Sequence, residues 1–406
     1  MEKQVHPALL SISGTHGKTM SGLMLQHVLE KAKISGKFKE SFPLRDSLPW
    51  LLRRSTRERA RWLGLETSIE GLKKGLYKKA LFDISILTNL FPQDQEDLPP
   101  EKYLSLYKSF FSTLPEKGAI IVNADDPLAL EVTDVTVAQT VTYALRYPKA
   151  MVTAEDYKPH PMGSSFNVVV HSELPVITGG VHPECSFRVR LPLPGEVGVY
   201  TALAAATAAL TLGASTDEVA QGLKTFSGVS RRLDFLYNNA YSIIDDISPG
   251  PYALRALFES FLPLRFRRII LVYCLQKGKS PLHMAQELLR QEGNHPLTEI
   301  FLTSSGEYMP PSSQGSWEEE QTFIKAWLEG DGRASLSIFR ELAPTLDEAL
   351  LSLKKGDLLL LLGGEGMNAA AGLLNLFLSK GSPTADGIIQ PKQEEENKQW
   401  GFLNPT

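Results

Sequence analysis

The sequence predicts a mostly parallel α/β fold divided into two units. Near the N-terminus, the apolar run ALLSIS leads through a glycine-bounded turn into a segment with helical periodicity. Further along, three apolar runs at 241–247, 267–275 and 357–364 alternate with helical segments. Short apolar runs are typical of strands buried on both faces, and their alternation with helices indicates parallel sheets.

The boundaries of the two units follow from these patterns. We expect a P-loop-type central domain at 1–231, a smaller Rossmann-like C-terminal domain at 232–381 and a polar, mobile tail at 382–406. Short alternating runs between 140 and 192 predict a β-rich insertion in the central domain. The segment 199–225, rich in Ala and Leu, predicts a helix.

Composition and charge exclude several classes of protein. The net charge of −4 indicates no general attraction to nucleic acid or to anionic membranes. Two cysteines, Cys185 and Cys274, are too few and too distant for a disulfide framework or a thiolate zinc site. The N-terminus lacks the apolar run of a signal peptide, and every apolar run is shorter than a membrane span of roughly 20 residues. We therefore expect a cytoplasmic protein with no nucleic-acid partner and no membrane span.

The strongest local motif is the heptapeptide SGTHGKT, which follows the first predicted strand. Gly14 and Gly17 allow backbone N–H groups to approach phosphate oxygens, and the start of the next helix favours anions. Lys18 can neutralise phosphate charge, and the hydroxyl of Thr19 suits Mg²⁺. The general pattern G-x-x-x-x-G-K-[ST] is not met, because Ile12 occupies its first glycine position. The alternative is a glycine turn in an unrelated α/β domain.

The shorter loop resembles that of the Mur ligase superfamily, which includes peptidoglycan ligases, folylpolyglutamate synthase and the ligase half of cyanophycin synthetase. Further segments resemble the same family in the same order over residues 8–370. These are LGLETSIEGLKKGL, DISILTNL, LPEKGAIIVNADDP, LPGEVGVYTALAAATAAL, FSGVSRRLD and IIDDISPGPYALRA.

The resemblance implies an ATP-dependent ligase that phosphorylates a carboxylate and joins the acyl phosphate to an amine. It also implies the roles of individual residues. The residues assigned to the nucleotide are Gly14, Thr15, His16, Gly17, Lys18, Thr19, Asn89, Arg232 and Asp246. Those assigned to Mg²⁺ are Thr19, Glu66 and Asp94. Those assigned to catalysis are Lys18, Glu66 and Lys108, the last by its match to a lysine that many family members carbamylate.

Three of these assignments have simpler alternatives. Glu66 is a surface glutamate if the apolar segment before it is not a strand that ends at the site. Lys108 is an ordinary solvated lysine if its helix does not face the site. Arg231 and Arg232 are surface charges if neither reaches a phosphate.

Several family positions are altered in this sequence. An expected Asp-His pair is replaced by Gln93 and Asp94, although Asp94 still offers the oxygen ligands that Mg²⁺ prefers. The other altered positions are Gly198 and Thr201 in place of two asparagines near adenine, Pro249 and Gly250 in place of a His-Asn-Pro type of turn, and Ser280 in place of an arginine.

These observations leave more than one function open. The leading hypothesis is an ATP- and Mg²⁺-dependent carboxylate–amine ligase that acts on small-molecule carboxylates and amino acids or peptides in cell-wall metabolism. The second is a catalytically impaired relative that binds nucleotide and acts as a scaffold or regulator, and the third is an unrelated P-loop kinase or NTPase. Since few residues precede the loop, we expect a partner protein to supply the family's N-terminal UDP-binding domain.

Overall fold

The computed structural model describes residues 6–40, 48–78, 80–92, 98–160, 162–247, 250–261, 264–278 and 280–379, and for 48–52 the backbone only. The chain forms two compact units, Met1–Gly228 and Val229–Thr406. The tail that we predicted at 382–406 lies outside the described residues. No helix in the described ranges is both long enough and apolar enough to cross a bilayer.

The first unit is built on a nine-stranded sheet. Its eleven strands, two of which form a separate small sheet, are β1 (Ala8–Ser13), β2 (Gly36–Lys39), β3 (Trp62–Glu66), β4 (Ile84–Leu87), β5 (Ala119–Asn123), β6 (Gln139–Ala144), β7 (Val152–His160), β8 (Gly163–Val170), β9 (Leu174–Pro175), β10 (Val181–His182) and β11 (Cys185–Leu191). Its helices are α1 (Lys18–Lys31), α2 (Leu48–Arg57), α3 (Ile69–Lys73), α4 (Pro100–Phe111), α5 (Pro127–Glu131), α6 (Gly195–Thr211) and α7 (Thr216–Lys224).

The strand order of the large sheet is β11-β8-β7-β6-β5-β4-β1-β3-β2, and β9 pairs with β10. Strands β1 to β7 pair in parallel, whereas β8 and β11 are antiparallel. The predicted β-rich insertion therefore continues the main sheet as its antiparallel edge. The parallel pairing places the C-terminal ends of β1, β3, β4, β5 and β6 along one edge of the sheet, where ligands of open α/β sheets bind.

Helices cover both faces of the central strands. The small side chains of α6, which is buried along almost its whole length, allow it to lie against β5, β6 and α1. On another part of the sheet, the aromatic residues of α4 pack with Phe82 and Leu65 in one apolar cluster. The predicted helix at 199–225 is two helices, because Gly213 has a φ of +89° and Ser215 caps α7.

The second unit contains a six-stranded sheet of order β12-β13-β17-β14-β15-β16, in which only β12 is antiparallel. The three apolar runs predicted as strands form its centre. Its elements are β12 (Asp234–Asn238), β13 (Ser242–Asp246), α8 (Pro251–Phe261), β14 (Ile269–Cys274), α9 (Pro281–Glu292), β15 (Leu297–Thr303), α10 (Trp317–Glu329), β16 (Ser335–Phe339), α11 (Leu342–Ser352), β17 (Leu358–Leu362) and α12 (Ala370–Ser379). The predicted α/β class with two largely parallel sheets is confirmed.

Candidate functional site

The glycine-rich loop connects the C-terminal end of β1 to the N-terminus of α1. Gly17 adopts a left-handed conformation, with a φ of +80°, immediately before Lys18 begins the helix. No side chain caps the first turn of α1. The backbone N–H groups of a first helical turn point toward a ligand at the helix start, and the helix dipole adds partial positive charge there.

Gly14 is held in close contact with the end of β4. Its φ is +128°, and a Cβ atom at this position would lie 2.2 Å from Thr88 Oγ1 and 2.9 Å from the carbonyl oxygen of Asn89. No L-residue with a side chain fits this space without moving the backbone. The glycine therefore fixes how closely the loop approaches the neighbouring strand.

The loop is also held by hydrogen bonds from the residues that follow β4. Thr88 Oγ1 donates to the carbonyl oxygen of His16 at 2.6 Å. The Asn89 side chain accepts from the N–H of His16 at 2.9 Å and donates to its carbonyl oxygen at 3.2 Å. Asn89, which we assigned to the nucleotide, therefore contacts the loop backbone in this structure.

Tyr103 supports the loop from α4, a contact that sequence reasoning missed. Its hydroxyl lies 2.7 Å from Thr15 Oγ1, and the same Thr15 oxygen accepts from the N–H of Phe91 at 2.8 Å. Tyr103 is buried, with 1% of its surface exposed. The contact joins residues that are far apart in the sequence, so no local pattern could have indicated it.

Lys18 folds back over the loop. Its Nζ donates to the carbonyl oxygens of Gly14 and Thr15, both at 2.9 Å. The ammonium group is therefore placed at the loop itself, beside the N–H groups of the helix start. This arrangement concentrates positive charge where a phosphate group would bind.

Thr19 and Glu66 are brought together by the strand register. β1 and β3 pair in parallel with Ile12 opposite Glu66, so the end of β3 lies beside the start of the loop. Thr19 Oγ1 donates to Glu66 Oε2 at 2.7 Å. A hydroxyl and a carboxylate are the hard oxygen ligands that Mg²⁺ prefers, so this pair fits the predicted metal.

The third predicted metal ligand, Asp94, lies outside the described residues. Among the residues that are described, no three His, Cys, Asp or Glu side chains converge to hold a metal ion. Lys108 lies on α4, where its Nζ forms a 2.7 Å ion pair with Glu131 Oε1. Carbamylation of this amine would require the ion pair with Glu131 to be broken.

A polar network that we did not predict occupies the C-terminal ends of β5 and β6. Asp125 Oδ2 accepts from the Tyr200 hydroxyl at 2.8 Å and from the N–H of Arg146 at 2.9 Å. Arg146 also donates to the Tyr200 hydroxyl at 2.7 Å and forms an ion pair with Glu196. Burial, with the Asp125 carboxylate, raises the pKa of Tyr200, so its hydroxyl remains a donor.

Gly198 and Thr201, which replace the two expected asparagines, lie on α6. A Cβ at Gly198 would come within 3.0 Å of Leu193 Cβ, so this position faces the protein. The Thr201 hydroxyl donates to the carbonyl oxygen of Val197 at 2.8 Å and is buried. Neither position therefore presents an amide side chain at this end of the sheet, as two asparagines would.

In the second unit, Arg231 is a structural residue. Its guanidinium pairs with Asp245 at 3.1 Å and donates to the carbonyl oxygen of Gly364 at 2.8 Å, and it also contacts Gly363 and Asn368. Asp245 is 1% exposed, and burial raises its pKa to about 6 although Arg231 opposes the shift. The pair joins the end of β13 to the turn after β17.

In this unit we assigned Arg232 and Asp246 to the nucleotide, and they directly follow Arg231 and Asp245 in the sequence. Asp246 is buried, and its Oδ2 accepts from the N–H of Leu233 at 2.8 Å. Arg232 is half-buried, and its backbone N–H donates to Val229 at 3.0 Å. Of the altered turn, Gly250 precedes α8, and Pro249 lies outside the described residues.

Comparisons with known proteins support the resemblance to the Mur ligase superfamily. Residues 12–209 match the model of the Mur ligase middle domain. The UDP-N-acetylmuramate--L-alanine ligase of Clostridium novyi is 25% identical over 271 residues, which cover 66% of this chain and 55% of that protein. A UDP-N-acetylmuramoyl-L-alanyl-D-glutamate--2,6-diaminopimelate ligase from Gloeobacter violaceus is 25% identical over 283 residues, which cover 65% and 55%. The chain thus spans about half the length of the curated relatives it matches.

Solved structures show the same fold. MurF from Acinetobacter baumannii has a TM-score of 0.70 at 18% identity, covering 92% of this chain and 77% of that one. The Mycobacterium tuberculosis folylpolyglutamate synthase complexed with ADP and AMPPCP has a TM-score of 0.68 at 14% identity, covering 92% and 91%.

The two adjacent arginines provide a direct test of the site in the second unit. We expect Arg231→Met to lower the free energy of unfolding by about 3–5 kcal/mol, because it leaves the buried Asp245 carboxylate without its partner. Urea denaturation at pH 8, where Asp245 is ionised, measures this change. The matched variant Arg232→Met should change stability by less than about 1 kcal/mol. Equal losses for the two variants would contradict the structural role given to Arg231.

Proposed function

Because the chain is a Mur ligase-like protein, we propose that it is an ATP-dependent ligase that joins a carboxylate to an amine. The observation that carries this proposal is the arrangement of Lys18, Thr19 and Glu66 around one helix N-terminus. Lys18 supplies a cation for the phosphates, and the other two supply oxygen ligands for Mg²⁺. We further propose cell-wall peptide metabolism as its setting and the cytoplasm, where ATP is available, as its location.

The residues of the loop position the reacting phosphate. Backbone N–H groups at Gly17 and the start of α1 bind phosphate oxygens, and Lys18 exchanges its contacts with the loop carbonyls for the β- and γ-phosphates. Thr19 and Glu66 would hold Mg²⁺. When bound, the ion neutralises the charge that spreads over the phosphates. Positioning and charge neutralisation account for most of the catalysis in such a transfer.

The proposed reaction has two steps. A substrate carboxylate oxygen attacks the γ-phosphorus of ATP, and the bond to the β–γ bridging oxygen breaks to release ADP. The nitrogen of an amino acid or peptide then attacks the acyl phosphate carbon, phosphate leaves, and the amine loses a proton. We assign Arg232 to the phosphates and Asp246 to the ribose hydroxyls. A metal-binding carbamate at Lys108 stays a prediction, which the ion pair with Glu131 disfavours.

The second candidate function is a relative that binds nucleotide but turns over slowly and acts as a scaffold or regulator. Its support is the loss of amide side chains at Gly198 and Thr201, whose replacements face the protein. Screening the full-length chain for ADP release over amino acids and muropeptides tests between the two candidates. Sustained release with one acceptor supports the ligase. A partner protein that supplies a UDP-binding domain also stays a prediction.

Removing the lysine of the loop tests the nucleotide site. We expect Lys18→Ala to weaken ATP–Mg²⁺ binding by about 2 kcal/mol or more, because the phosphates lose a charge-assisted partner. Isothermal titration calorimetry measures the affinity. Lys31→Ala, at the exposed C-terminal end of the same helix, is the matched control and should bind as the wild type does. Equal affinity of the Lys18 variant and the wild type would remove the basis of the proposal.

Competition between nucleotides tests the base contacts. Each of the two missing asparagine contacts is expected to cost about 1 kcal/mol, which together remove roughly 30-fold of the preference for adenine, so ATP and GTP should bind with similar affinities. Displacement of a fluorescent ATP analogue by the two nucleotides measures the ratio. A strong preference for ATP together with turnover of several per second would show that other residues have replaced the lost contacts.

A further inference from the structure

The charge of this chain is unevenly distributed along the sequence. Between Glu30 and Arg61 there are ten basic and four acidic residues, a charge of +6 in a chain whose net charge is −4. The remainder of the chain therefore carries −10. Charge asymmetry of this size indicates a surface for an anionic partner, although the net charge alone does not reveal it.

The structure gathers part of this charge on α2 and the turn that follows it. We call Arg53, Arg54, Arg57, Arg59 and Arg61 the arginine patch. All five are exposed, whereas Ser55 and Thr56, which lie between them in the sequence, are half-buried.

Among the described residues, nearby carboxylates neutralise only part of the positive charge of the arginine patch. Glu58 accepts from Arg54 at 2.8 Å and lies 3.5 Å from Lys37 Nζ, so one carboxylate is shared between two cations. All five side chains are exposed, so within the described residues this part of the surface carries a net positive charge.

The arginine patch lies away from the phosphate loop. Arg61 directly precedes β3, and Glu66 ends the same strand beside Thr19. The five residues of β3 separate the two positions by roughly 16 Å, at about 3.3 Å for each residue. Arg61 therefore lies at the opposite end of β3 from the proposed metal pair.

We propose that the arginine patch docks this protein on a bilayer that contains anionic phospholipids. Guanidinium groups match phosphate oxygens in charge and geometry. Basic residues on a helix are typical of proteins that bind anionic membrane surfaces. A nucleic acid fits less well, because residues 53–61 include no aromatic side chain on which bases could stack. A long polyanion would also extend past the patch onto a chain that is otherwise negative.

Vesicle flotation with the full-length protein tests this proposal. The protein should float with phosphatidylglycerol–phosphatidylcholine vesicles and should not float with vesicles of pure phosphatidylcholine. It should be released at about 0.5 M NaCl, because salt at that concentration screens exposed charges. The double variant Arg53→Gln/Arg57→Gln should bind about 25-fold more weakly, at roughly fivefold for each basic side chain.

Two controls make the result specific to the patch. Lys354→Gln/Lys355→Gln removes two exposed cations from the second unit and should leave vesicle binding unchanged. Unfolding curves should show that both double variants are folded. No flotation, equal flotation with the neutral vesicles, equal losses for the two double variants, or tighter binding to single-stranded RNA at the same phosphate concentration would each overturn the proposal.

Discussion

The close contact between Gly14 and the end of β4 is the constraint on which the candidate site depends. A Cβ atom there would overlap Thr88 Oγ1, so the backbone can turn at this point only because the residue is glycine. The turn brings His16 against Thr88 and Asn89 and delivers the chain to Gly17, where α1 begins. The positions of Lys18 and Thr19 follow from where that helix starts.

Most of the first unit could be predicted because its signals are local. An apolar strand, a glycine turn and a helix are adjacent in the sequence, so the loop needed no tertiary information. The apolar run before Glu66 indicated a strand end and family resemblance assigned it to the metal, whereas its position opposite Ile12 of β1 comes from the register in the structure. The hydroxyl of Tyr103 could not be placed, because its contact with Thr15 joins residues that are 88 positions apart.

The second unit shows a different limit of sequence reasoning. Arg231 and Arg232 are adjacent and identical in type, and so are Asp245 and Asp246. Asp245 and Asp246 are neighbours on β13 and point to opposite faces of it, whereas Arg231 and Arg232 lie in the turn before β12. Only the fold therefore decides which member of each pair is paired in the interior. Arg231 takes that position with Asp245, whereas Asp246 accepts a backbone hydrogen bond from Leu233. Family resemblance assigned a functional role to Arg232 without revealing the structural role of its neighbour.

Two groups of polar side chains lie along one edge of the sheet in the first unit. The residues that we propose for phosphate and metal, Lys18, Thr19 and Glu66, lie near the ends of β1 and β3, and their side chains contact the groups that orient them. The ends of β5 and β6 instead carry the network of Asp125, Arg146 and Tyr200. The two groups of side chains share no hydrogen bond among those described above, so a substitution in one group need not disturb the other.

We propose that Thr19 and Glu66 hold the Mg²⁺ of a bound nucleotide. Calorimetric titration of ATP into the wild type and into Glu66→Gln, with and without Mg²⁺, tests this proposal most directly. Glutamine retains an oxygen that accepts from Thr19 but lacks the negative charge that the ion prefers. We expect Mg²⁺ to strengthen ATP binding to the wild type, the variant to lose most of this gain, and the two proteins to bind ATP alike without Mg²⁺. The same gain from Mg²⁺ in both proteins would contradict the proposal.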